Sequence, residues 1–216
     1  MRPSRLSIIF DMDGTLCDTA IATTAASNEI LHEMGLEPID IERSRRAIGW
    51  SGPEIFFKLL PGHNEETVLR FGENLEEVEA RYIKEQGGDL LFSGVLEMLE
   101  ALHAEGIPLH IASTGSPSHV KQSLEITDTK QFFESISCGQ PDKIDMVSEI
   151  IRTNDPEGFW IMVGDKVKDS DAAHGNDILA VGAGYGYCFE DEHHLFDRVA
   201  ATPKELLALL LSYKNA

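Results

Sequence analysis

The sequence predicts an α/β protein: a parallel sheet covered by helices, with a helical unit inserted after the first strand. Short apolar runs without strict alternation recur along the chain, as strands buried on both faces require. Amphipathic helical patterns lie between them, and alternating β and α elements build a sheet with helices on both faces. One interval, residues 18–89, breaks this rhythm with helical patterns alone.

The first strand is Leu6–Phe10. Helical stretches follow: Thr19–Met34 stopped by Gly35, Pro53–Leu60 opened by an N1 proline, and Glu65–Gln86 stopped by Gly87 and Gly88. Gly94–Glu105 places Val95, Met98, Leu99 and Leu102 on one helical face, and Gly106 ends it. Strands are then expected at Ile107–Ala112, Ser135–Cys138, Phe159–Val163 and Ile178–Gly182. Ser116-Pro117 and Asp142 read as helix starts. Thr202-Pro203-Lys204-Glu205 joins a capping box to an N1 proline before the last helix. The expected division is a sheet domain of residues 1–17 and 90–216, and a helical unit of residues 18–89. Two chain crossings between them permit hinge motion.

Composition narrows the partners. Eighteen Lys+Arg against 37 Asp+Glu give a net charge of −19, which argues against nucleic acid and anionic membranes as partners, since both demand cations. The apolar runs are far shorter than the roughly 20 residues of a membrane helix. Cys17, Cys138 and Cys188 form no CxxC pair, as expected for a reduced, cytoplasmic protein. Monomer and homodimer both stay open.

Chemistry concentrates at strand ends. Asp11-Met12-Asp13-Gly14-Thr15 follows the first strand, so Asp11 and Asp13 emerge on one side at its carboxyl end, where open α/β sheets place their ligands. One ionised Asp there can bind a hard cation and attack phosphorus; the other can give a proton to the leaving group and then activate water. Asp165, after Phe159–Val163, can complete an oxygen cage for Mg2+, with Asp169 orienting it from behind. Ser113-Thr114-Gly115 precedes a helix start and can seat an anion on a hydroxyl and backbone amides. Lys143 stands in a first helical turn, where a cation opposes the helix dipole and so points to a role beyond helix stability. Screening phosphate and nucleophile is such a role.

In these four elements the chain resembles the haloacid dehalogenase superfamily of phosphatases, from about Leu6 to Tyr187. The resemblance implies a Rossmann-like core with an inserted helical cap, similar to phosphoglycolate phosphatase-like members. It also implies Asp11 as nucleophile, and Asp13 as general acid/base and Mg2+ ligand through its carbonyl. Ser113 becomes the phosphate-binding hydroxyl, Asp165 a metal ligand and Asp169 its support. Many relatives carry their lysine in a KPxP segment. Here the segment reads Gln140-Pro141-Asp142-Lys143, and Lys121 and Lys130 stand as alternatives.

The inserted unit offers two further features. Arg43, Arg45 and Arg46 are three of nine arginines, and Arg46 is expected to meet a second anionic group of the substrate. A solvated, salt-bridged helix face is the other reading. Trp50, in Ile48-Gly49-Trp50-Ser51-Gly52-Pro53, either reaches the cleft as a substrate contact or packs inside the insertion. The expected function is Mg2+-dependent hydrolysis of a small phosphorylated metabolite through an aspartyl phosphate. A phosphomutase of the same fold, similar to β-phosphoglucomutase, is the nearest rival, and a non-enzymatic phospho-aspartate switch a more distant one.

Overall fold

The computed structural model describes residues 5–214. Six strands form one sheet: β1 (Leu6–Phe10), β2 (Leu109–Ser113), β3 (Phe133–Cys138), β4 (Phe159–Gly164), β5 (Leu179–Ala183) and β6 (Arg198–Ala200). Their order is β3-β2-β1-β4-β5-β6, and every pairing is parallel. β1 therefore lies between β2 and β4, where the strand order reverses, and such a switch point opens a crevice at the carboxyl ends. The protein is an α/β fold of the kind the apolar runs foretold.

Residues 20–86 supply five helices: α1 (Ala20–Met34), α2 (Ile41–Ala47), α3 (Glu54–Leu59), α4 (Glu65–Gly72) and α5 (Leu75–Gln86). The remaining α-helices are α6 (Val95–Ala104), α7 (Pro117–Ile126), α8 (Lys143–Asn154), α9 (Val167–Gly175) and α10 (Pro203–Lys214). The expected single helix over Glu65–Gln86 is two helices. The break falls at Glu73-Asn74, next to Gly72, whose bare backbone is pressed against the Phe56 ring. α2 had no apolar periodicity to announce it; its start is made by Asp40, whose side chain accepts from the Arg43 amide at 2.8 Å. β6 is three residues long, below what a pattern can reveal.

Successive β1 side chains serve opposite layers, as the strand period of two requires. Ile8 and Phe10 join Leu109, Ile111 and Val163 under α6, α7 and α10. Ile9 joins Ala112, Met162 and Ala180 under α8 and α9. The insertion has a cluster of its own, including Ile30, Leu31, Leu59, Val68 and Phe71. The two chain crossings run side by side: the Asp18 amide donates to Leu90 O (2.8 Å) and the Phe92 amide to Leu16 O (3.0 Å). No helix among the described residues is long and apolar enough to cross a membrane.

His110, on β2, is fully buried and gives a stability test of this core. It hydrogen-bonds Ser135 Oγ through Nδ1 at 2.7 Å, while Nε2 has no partner. Burial, helped by the charge of Arg5, pushes its pKa down to about 4. The unfolded chain titrates near 6.5, so between about pH 6.5 and 4 the unfolded state holds more protons, and stability falls as pH falls. Thermal melts at pH 7.5 and 5 are expected to separate more for the native protein than for His110→Gln. Equal separations would contradict this.

Candidate active site

The β1 ladder with β4 carries directly into the site, since the Asp11 amide donates to Val163 O at 2.8 Å. The chain then turns tightly, with the Leu16 and Cys17 amides both bonded to Met12 O. Gly14 makes the turn possible: its φ is +86°, and a Cβ there would lie 2.5 Å from Asp165 Oδ2. Thr15 Oγ1 donates to Asp165 Oδ1 at 2.8 Å, which ties the ends of β1 and β4 together.

Three buried carboxylates, Asp11, Asp165 and Asp169, bring one oxygen each within 4.8 Å of the others. Lys143 closes the group, with Nζ 2.8 Å from Asp11 Oδ1 and 2.6 Å from Asp169 Oδ1. Asp169 is further fixed by the Asp165 and Lys166 amides, which donate to its Oδ2 at 3.0 and 2.9 Å. Burial first, then the charge of Asp169, pushes Asp11 up to about 7 against the pull of Lys143. Burial and the neighbouring carboxylates hold Asp165 well above the ordinary range. Burial alone would lower Lys143, yet Asp11 and Asp169 hold it above its ordinary value. Lys166 Nζ stands 4.0 Å from Asp165 Oδ2, and the excess of three buried carboxylates over two ammonium groups is a reason for a cation to enter. Asp165 Oδ2, buried without a hydrogen-bond partner, offers that cation a free ligand atom. An all-oxygen, anionic donor set fits Mg2+.

Asp13 faces away from these three. Its Oδ1 lies 2.8 Å from His119 Nε2 on α7. Burial works against charge on both, but their attraction wins: Asp13 is held below the ordinary carboxylate range and His119 is raised to about 9. Asp13 is thus apart from the carboxylate cluster, and only its carbonyl is left for the metal role that the resemblance implied. Ser113 ends β2, buried, and its Oγ accepts from the Gly115 amide at 3.1 Å. Ser116 caps α7 by accepting from the His119 amide at 3.2 Å, so Ser113, Thr114 and Gly115 lead into a helix N-terminus.

A cavity of about 270 Å³ opens beside Asp13, Thr114, Gly115 and His119 on the core side, and Gly49 and Trp50 on the insertion side. Trp50 therefore borders the cleft, with the Lys58 and Lys168 ammonium groups 4.2 and 4.9 Å from its ring centre. Arg46 corrects an expectation. It is exposed, pairs with Glu42 at 3.2 Å one helical turn away, and stacks 4.1 Å above the Phe189 ring. The reason is helix phase: α2 buries Ser44 and Ala47, which turns Arg43 and Arg46 outward. Arg45 is half-buried over Tyr187, 5.9 Å from its ring centre, and does not border the cavity. Lys121, paired at 3.9 Å with Glu125 on an exposed helix face, is no substitute for Lys143.

Sequence reasoning missed His119. The signal was present, because His119 is the third residue of α7 and opposes its dipole as Lys143 does in α8. Glu79, also at the cavity, carried no signal among the many acids of α5.

The haloacid dehalogenase-like hydrolase family model matches residues 8–183. A phosphoglycolate phosphatase from Synechococcus elongatus is 28% identical over 211 residues, covering 93% of this chain and 92% of its own. One from Agrobacterium fabrum is 25% identical over 197 residues, covering 86% and 83%. Among solved structures, a haloacid dehalogenase-like family hydrolase from Streptococcus pneumoniae superposes with a TM-score of 0.82 at 25% identity. That match covers 97% of this chain and 99% of the other. With Asp11, Asp165 and Asp169 clustered around Lys143 at the carboxyl edge of the sheet and the family model spanning residues 8–183, the chain belongs to the haloacid dehalogenase-like hydrolases.

Proposed function

We propose that the protein is a Mg2+-dependent phosphomonoesterase acting on a small, cytoplasmic, phosphorylated metabolite through an aspartyl phosphate. The observation that carries this reading is the division of labour between two carboxylates two residues apart. Asp11 is paired with Lys143 in the carboxylate cluster, and Asp13 with His119 at the cavity. One is set up as an electrostatically screened nucleophile, the other as a proton-handling group beside the leaving-group space.

Phosphate is seated by Ser113 Oγ, the amides at the start of α7 and Lys143. A carboxylate oxygen of Asp11 bonds to phosphorus as the ester P–O bond breaks, and the leaving oxygen takes a proton from the Asp13–His119 pair. Water then loses a proton to Asp13 and attacks phosphorus. The Asp11–phosphorus bond breaks, and inorganic phosphate is released. Asp11 and Asp165, with the Asp13 carbonyl, would hold Mg2+, and Asp169 keeps Lys143 and the Asp165 loop in place. When bound, Mg2+ supplies the positive charge that lets a dianionic phosphate approach a carboxylate. The insertion covers the cleft and limits water access.

EDTA is expected to abolish release of inorganic phosphate from p-nitrophenyl phosphate, and Mg2+ to restore it. Ca2+, which takes more ligands at longer distances, is expected to inhibit. Full activity in metal-free buffer would contradict the carboxylate site. Transfer of phosphate to a second hydroxyl of a sugar phosphate, without release, would favour the mutase reading.

A further inference from the structure

The cavity beside Asp13 is where the leaving group must sit, and its walls carry the wrong charge for an anionic tail. Among the described residues that border it are Glu73, Glu76 and Glu79, and no lysine or arginine. Its one basic side chain, His119, is already paired with Asp13. The ammonium groups of Lys58 and Lys168 lie against the Trp50 ring, and Lys168 faces Glu54 at 3.8 Å.

The carboxylates are not fully matched by the protein's own donors. Glu76 accepts from Ser116 Oγ at 2.6 Å and from Ser118. Glu79 receives a hydrogen bond from Thr23 and, among the described residues, has no ion pair within 4.0 Å, although the charge of His119 favours its ionised form. Burial outweighs the pull of His119 and raises its carboxyl above the ordinary value, a cost that a further, closer cation would reduce. Thr19 borders the same cavity. The residue is 1% exposed, and its hydroxyl is directed at the Asp13 carboxylate, which it helps to hold ionised. With its proton turned to Asp13, the hydroxyl oxygen keeps lone pairs that can accept.

We infer that the leaving group accepted here bears an ammonium group, so that the substrate class is a small aminoalkyl phosphomonoester. This rests on the phosphatase reading above and deepens it. The ammonium would lie between Glu79 and Glu76 with the Thr19 hydroxyl as a further acceptor, while the phosphate reaches Asp11. The Synechococcus elongatus and Agrobacterium fabrum relatives are named for phosphoglycolate, whose tail is a carboxylate. In this cleft a carboxylate would meet like charges in a partly desolvated space.

Three two-carbon substrates separate the possibilities: 2-aminoethyl phosphate, 2-hydroxyethyl phosphate and 2-phosphoglycolate, with p-nitrophenyl phosphate as a general reporter. The kcat/KM for the aminoethyl ester is expected to exceed that for phosphoglycolate by about 10- to 150-fold, the range of one charge-assisted contact. Glu79→Gln and Glu76→Gln, each nearly isosteric, are expected to narrow that ratio at least about fivefold. Glu76 lies on an exposed part of α5, so its variant tests the idea even if Glu79→Gln fails to fold. Equal or better use of phosphoglycolate by an enzyme that hydrolyses p-nitrophenyl phosphate overturns the inference alone. An unchanged ratio in both folded variants overturns it as well. No hydrolysis of any ester with Mg2+ present overturns the phosphatase reading and the inference together.

Discussion

Replacing Asp11 by Asn is expected to lower turnover about a thousandfold or more while the chain still folds. The amide keeps the shape of the carboxylate and one acceptor oxygen, but it is a poor nucleophile toward phosphorus and offers a cation no charge. Folding is not expected to suffer. Burial and Asp169 already raise the Asp11 carboxyl to about 7, so its charge is held at a cost, and Lys143 keeps Asp169 as its partner. A melting temperature equal to or above that of the native protein is therefore expected alongside the lost activity. Acid-quenched native enzyme should carry a phosphoryl group on the peptide containing Asp11, and the variant none. More than a tenth of native activity in Asp11→Asn would falsify the covalent assignment.

What the sequence revealed and what it hid divide along one physical line. Asp11, Ser113, Lys143 and Asp165 were legible because each sits within a few residues of a strand end or helix start. The parallel sheet then brings those ends together without further instruction. Gly14 and the Asp165–Asp169 spacing belong to the same local class, since tight turns impose short-range requirements. His119 and Glu79 meet only because α5 packs against α7, a contact between segments about 40 residues apart. That contact is fixed by groups such as Gln122, whose side chain donates to Ala80 O at 2.8 Å. No local pattern encodes it. Arg46 shows the converse. A cluster of three arginines is conspicuous in an acidic chain, yet helix phase, set by the small buried residues Ser44 and Ala47, decides where each points. Local pattern therefore foretold the carboxylate cluster better than the lining of the neighbouring cleft.

Lys143→Met is expected to be the most damaging single change to stability in the core. Lys143 is 3% exposed, and its ammonium is shared by two carboxylates at 2.8 and 2.6 Å. Methionine fills much of the aliphatic volume but strips Asp11 and Asp169 of their shared cation, leaving only Lys166, 4.0 Å from Asp165, beside the buried cluster. Breaking a buried ion pair by removing one partner costs about 3–5 kcal/mol. Activity is expected to vanish as well, because nothing of the chain's own then screens phosphate from Asp11. If stranded negative charge is the cause, adding Asp169→Asn should recover much of the lost stability. The Asn oxygen can still accept from the Asp165 and Lys166 amides, while the replacement removes one stranded negative charge. Chemical denaturation in EDTA measures both variants, and phosphate release is expected to stay absent in each. A double variant no more stable than Lys143→Met would mean that the lysine acts through packing. The ammonium at the end of β1 would then serve catalysis and not the fold.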